Sequence, residues 1–177
     1  ESTDIRSRAA EFGPARRAWT PDGTVTDWFA HDYTWDQLRT LNAVERIPSV
    51  RPANTAFDGQ LPMIRLRELV ELLAERRTTA GQRPRLVIEL KHASWFRGLG
   101  FDLVELLERE LAGLWGTPVL DALVLESFEG EVLREVRRRG VAAGASLVYL
   151  IDSEGVPDDR RARDGAVASD YASDLTD

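Results

Sequence analysis

The sequence predicts an α/β protein in which a parallel sheet is covered by helices. Two observations carry that expectation. Beyond residue 61, apolar runs of strand length alternate with longer stretches of helical periodicity. The strand runs RLVIELK (85–91), DALVLESF (121–128) and ASLVYLID (145–152) are nearly continuous in apolar residues, as strands of a parallel sheet are. Strand, helix and strand in succession suit either a (β/α)8 barrel or an open doubly wound sheet. No GxGxxG or phosphate-binding P-loop follows a strand, which disfavours the nucleotide-binding form of the open sheet.

Taken in order, residues 1–60 form an irregular region. Pro, Gly, Asp and Thr are scattered through it, and it holds three of the five tryptophans. TPDGTVTDWF (20–29) reads as a turn followed by a short strand, because Pro-Asp-Gly is strong turn chemistry. TWDQLRTLNA (34–43) reads as a short helix capped by Thr34. RPANTAFDGQLP (51–62) reads as loop.

Residues 61–177 are expected to be a partial β/α barrel. RLRELVELLAERR (65–77) is a helix with Leu66, Leu69, Val70, Leu72 and Leu73 as its apolar stripe. FDLVELLERELAGLW (101–115) is a second, with Leu103, Leu106, Leu107 and Leu111. EGEVLREVRRRG (129–140) is a third, stopping at Gly140 in the position that favours glycine. The arginines at the ends of the first and third helices suit the negative pole of a helix C-terminus. Residues 153–177 are polar and read as loop.

Composition narrows the function. A formal charge of -7 argues against a protein that coats nucleic acid, while leaving room for a local basic pocket. The absence of cysteine excludes disulfides and thiolate metal sites. No run of about eighteen apolar residues is present, so no membrane-spanning helix is expected. The opening residues, ESTDIRSRAA, are too polar for a signal peptide.

Side chains alternate between the faces of a strand. Leu86, Ile88 and Leu90 share one face; Val87, Glu89 and Lys91 share the other. The same split places Leu123, Leu125 and Ser127 opposite Val124, Glu126 and Phe128, and groups Val148 with Leu150 and Asp152. Each strand therefore carries apolar residues early and a carboxylate late on one face. In a barrel, packing lies at the bottom and chemistry at the C-terminal mouth. The bland alternative is that Glu89 and Lys91 pair with each other, worth about 0–1 kcal/mol at an exposed rim. His31, in FAHDYT, is expected at the surface, and His92 on the face opposite Lys91, as a supporting residue at most.

RPANTAFDGQLPMIRLRELVELL, RLVIELKHASWFRGLGFDLVELLERELA and LVLESFEGEVLREV, in that order, resemble the glycerophosphodiester phosphodiesterase family. The F-D-G-x-x-P turn (57–62), the I-E-x-K strand (88–91) and the E-S-F strand (126–128) carry the likeness. STDI (2–5) and WFAHDYTWDQLRTL (28–41) resemble the insertion region of its bacterial branch, and YASDLTD (171–177) a lead-in to a further helix. The resemblance implies a TIM barrel, of which this chain is a central part. It implies metal-dependent hydrolysis of glycerophosphodiesters to an alcohol and glycerol 3-phosphate, with Mg²⁺ or Ca²⁺ at the mouth. By position, Glu89 is the metal ligand and Lys91 faces the phosphate; Glu126 and Phe128 are expected to contact substrate. The family's acid and base histidines lie ahead of the region matched by 2–5, so this chain alone is expected to be incomplete and inactive. His31-Asp32 falls in the insertion and is not the catalytic pair. Export is favoured by resemblance only. The alternative reading is a non-catalytic phosphodiester-binding or interaction module on the same scaffold.

Overall fold

The computed structural model describes residues 2–160. The YASDLTD lead-in and most of the polar C-terminal stretch lie outside the described residues. The chain divides into two compact units between Arg65 and Leu66.

In the first unit a 3-10 turn, Asp4–Arg8, runs into a short helix, α1 (Ala9–Phe12). An antiparallel hairpin follows, β1 (Arg16–Thr20) with β2 (Gly23–Asp27). The Pro-Asp-Gly turn closes it, and the Thr20 hydroxyl donates to the Gly23 carbonyl at 2.9 Å. The sequence pattern places this turn and β2 but gives no sign of β1, since RRAWT carries charge at its head and no apolar alternation. A 3-10 turn at Ala30–Asp32 leads to α2 (Trp35–Leu38). Thr34 caps α2 as expected, in a reciprocal capping box with Gln37. The segment expected as loop contains a 3-10 helix, Pro52–Phe57.

This unit has little apolar core; Ile5 and Leu41 are its buried aliphatic residues. Polar staples do much of the holding. The Asp4 carboxylate accepts from the Asn42 amide at 3.0 Å. Arg16 grips both oxygens of Asp32 at 2.5 and 2.9 Å, and its guanidinium lies 4.5 Å from the Phe29 ring centroid. His31 is half-buried with its Nε2 3.0 Å from Arg16, not a surface residue as expected. The Glu45 carboxylate accepts from the Ile47 amide at 2.7 Å, from Asn54 Nδ2 at 2.8 Å and from Arg51. Those donors hold its titration at about 2, the Ile47 amide foremost.

The second unit contains α3 (Leu66–Ala74), β3 (Val87–Glu89), α4 (Ala93–Gly98), α5 (Leu103–Leu111), β4 (Val124–Ser127), α6 (Gly130–Arg139) and β5 (Ser146–Tyr149). A 3-10 turn, Asp158–Arg160, follows. The strands form one parallel sheet in sequential order, β3-β4-β5. The architecture is thus α/β with a three-stranded parallel sheet and helices. Asp102 caps α5, accepting from the amides of Val104 and Glu105 at 3.0 and 3.1 Å, and the same carboxylate takes Arg139 at 2.6 Å. Arg139 and Arg138 also engage Glu135 on their own helix. α6 stops at Gly140, whose φ of 68° is the left-handed cap the sequence announces.

One cluster forms the core. Val70 of α3, Val104, Leu107 and Leu111 of α5, and Val132, Leu133 and Val136 of α6 meet Leu86, Leu90, Leu123 and Leu125 of the sheet. Those strand residues share one face, so all three helices cover that face. Two details depart from the expected stripes. Leu72 and Leu106 are exposed, and Val104 is buried on α5 beside the expected Leu107 and Leu111. α4 is also unannounced, because ASWFRG is too short to show a period.

Leu125 is fully buried at the centre of this cluster. Leu125→Ala is expected to cost about 2–5 kcal/mol of unfolding free energy, measured by urea denaturation. In the first unit, a carboxyl depressed by folding stabilises above its ordinary range and loses that contribution as pH falls toward about 2. Glu45→Gln should therefore flatten the acid limb of stability between about pH 4.5 and 2, followed by circular dichroism.

Candidate functional site

Among the described residues, the face of the sheet opposite the helices is open. Val87 is 53% exposed and Val148 38% exposed. The register aligns Val87 with Val124 and Ser146, then Glu89 with Glu126 and Val148. Glu89 and Glu126 thus stand side by side on one face of neighbouring strands, about 4.8 Å apart along the hydrogen-bonding direction. Among the described residues neither carboxylate has a hydrogen bond or ion pair. Glu89 is exposed and Glu126 half-buried.

The alternation continues past β3. Leu90 is buried, its amide donating to the Glu126 carbonyl at 2.8 Å, and Lys91 is exposed. Phe128 follows directly on β4 and is half-buried. Glu89, Lys91, Glu126 and Phe128 therefore gather at the C-terminal ends of β3 and β4. Asp152 does not join them. It lies beyond the end of β5, is exposed, and accepts from the Ser153 amide at 2.6 Å as a local turn cap. No group of three or more His, Asp or Glu among the described residues is spaced to hold a metal ion. The open face offers two carboxylates, which is the number Mg²⁺ commonly takes from protein when substrate phosphate and water supply the rest.

A second polar cluster lies on the helix side of the same strand ends. Ser127 is fully buried, and its hydroxyl donates to the Leu90 carbonyl at 2.8 Å while accepting from the Glu129 amide at 3.0 Å. This one hydroxyl ties the end of β3 to the start of α6. Glu129, the N-cap of α6, is 3% exposed. Its Oε2 accepts from the Ser94 amide of α4 at 2.9 Å, and its Oε1 has no hydrogen-bond partner. Asp159 accepts from the Glu131 amide at 2.7 Å through Oδ2, and its Oδ1 is likewise buried without a partner. Burial pushes both carboxyls above their ordinary range; for Glu129 the negative charges of Asp159 and Asp158 add to it.

His92 belongs to this cluster. Its Nδ1 lies 3.0 Å from Asp158 Oδ2. Its backbone is left-handed, with φ 55° and ψ 40°, an uncommon state for a non-glycine residue. Both histidines thus sit beside carboxylates inside the fold, His31 with Asp32 and His92 with Asp158. Sequence reasoning missed Glu129, Asp158 and Asp159. An acidic residue heading a helix and a Pro-Asp-Asp stretch both look like solvated surface, and nothing local marks them as buried.

No protein-family model matches the chain, and no curated protein matches it.

Ser127→Ala removes the hydroxyl that serves two buried backbone groups. It should lower stability by about 1–3 kcal/mol, read from the urea midpoint at unchanged slope.

Proposed function

We propose that this chain is the central part of a (β/α)8 barrel of the glycerophosphodiester phosphodiesterase type. The observation that carries the reading is the one-sided sheet. Parallel strands in sequential order have helices on one face and Val87, Val124, Glu89 and Glu126 on the other. A doubly wound sheet would place helices on both faces. An open face with apolar residues below and carboxylates at the strand ends suits the inner wall of a barrel, whose mouth carries the chemistry. The ordered F-D-G-x-x-P, I-E-x-K and E-S-F motifs point the same way.

In this reading Glu89 holds a divalent cation, Mg²⁺ or Ca²⁺, with oxygen donors suited to a hard ion. Such a cation, when bound, supplies charge neutralisation at the phosphoryl oxygens. Lys91 places a point charge toward a diester oxygen. Glu126, an acceptor, takes a hydrogen bond from a glycerol hydroxyl, and Phe128 offers its ring to the carbon backbone of the substrate. These roles would lower the barrier chiefly by positioning and electrostatics.

One observation favours a second reading, a phosphodiester-binding module without catalysis. His92, the histidine of the second unit, is engaged through Nδ1 by Asp158 at 3.0 Å, which commits that nitrogen to a structural contact and not to acid or base work.

The test is hydrolysis of glycerophosphodiesters by the full-length protein with added Mg²⁺ or Ca²⁺. Glu89→Gln should reduce turnover by about 10²-fold or more and weaken metal binding, while Lys91→Ala should mainly raise KM. Unchanged turnover and metal affinity in Glu89→Gln would remove the site assignment. Substrate binding with no hydrolysis would favour the second reading.

A further inference from the structure

The segment after β5 ends in the Asp158–Arg160 turn, which packs against α4. Among the described residues, two side-chain contacts hold it there. His92 Nδ1 meets Asp158 Oδ2 at 3.0 Å, and the Glu131 amide of α6 donates to Asp159 Oδ2 at 2.7 Å. Glu129 lies in the same cluster, with Oε1 buried and unpartnered as Asp159 Oδ1 is. An ionised carboxylate so placed is costly, because burial removes its water and one of its two oxygens has no donor in exchange. A proton would cancel the charge and supply the missing donor.

The surrounding charges do not relieve the cost. Asp158 and Asp159 face Glu129 from the turn, and Glu131 lies beside Asp159 on α6. Among the described residues the opposing cations are Arg134 of α6 and Arg160 of the turn, both acting on Asp159, and His92 of the α4 cap when protonated. The Ser94 side chain and amide favour the ionised form of Glu129, but burial outweighs them, and the Ser127 hydroxyl is committed to the Leu90 carbonyl.

We propose that the Asp158–Arg160 turn is a proton-dependent latch: Glu129 carries a proton while the turn is docked, and losing it releases the turn from the N-termini of α4 and α6. The upward displacement of the Glu129 and Asp159 carboxyls by burial agrees with this. The sign follows from linkage. A carboxyl that titrates higher in the docked form favours docking at low pH, and docking weakens as pH rises from the ordinary carboxylate range through the raised value. The latch is independent of the phosphodiesterase reading.

The Glu131 amide, which donates to Asp159, reports docking through its hydrogen exchange. In the full chain, corrected for intrinsic exchange, its protection should fall as pH rises above the ordinary carboxylate range, by up to about tenfold per pH unit, the limit for one linked proton. In Glu129→Gln, which keeps the shape and cannot ionise, protection should be flat over the same rise in pH. Protection independent of pH in the wild type overturns the proposal. So does a pH dependence that survives in Glu129→Gln, which would assign the effect to Asp159 or His92. Should that variant not fold, a carbon-detected titration of the Glu129 carboxyl in the wild type decides instead: a midpoint in the ordinary carboxylate range overturns the latch.

Discussion

The second unit depends on one constraint: its parallel strands bury a single face. Leu86, Leu90, Leu123 and Leu125 meet three helices on that side and form a continuous core. Because side chains alternate strictly, this choice fixes every other residue on the strands. Glu89 and Glu126 stand together because Ile88 and Leu125, one position before each, are committed to the opposite face. A slip of one residue in either strand would bury a carboxylate and expose an aliphatic side chain. The packing that stabilises the unit is therefore also what places its candidate chemistry.

The first unit is held differently. With few buried aliphatic residues, it relies on charged and polar clamps: Arg16 on Asp32, Asp4 on Asn42, and three sets of donors on Glu45. Several of these join residues distant in sequence, so they close loops as well as satisfy charges. Ion pairs at such partly exposed positions contribute modestly one by one and depend on geometry.

Features set by short-range chemistry were legible in the sequence. The Thr34 cap, the Pro-Asp-Gly turn and the stop at Gly140 each rest on a few adjacent residues, and the structure has all three. The strands were legible because each is a short, nearly continuous apolar run. What escaped depended on distant partners. β1 exists only as the partner of β2, and α4 is too short for a period to register. The choice of Val104 over Leu106 on α5 is made by neighbouring elements and not by hydrophobicity, since both are apolar. Glu129 looks like an ordinary first-turn acid; its burial arises from α4 and the Asp158–Arg160 turn, residues that lie far along the chain in both directions.

The ladder β3-β4-β5 has a further consequence. Among the described residues its outer members are flanked on one side only, leaving a row of amide and carbonyl groups along each margin. In isolation such margins are templates for lateral addition of another chain, and the exposed valines beside them would favour it. The brevity of these segments, three residues in β3 and four in β5, limits how many backbone bonds an intruder could form. Glu89 on one border also sets like charges against each other in any identical copy that docks in the same alignment. Short rims bearing an acid thus restrain fibril-like stacking while keeping an inviting seam for properly matched strands.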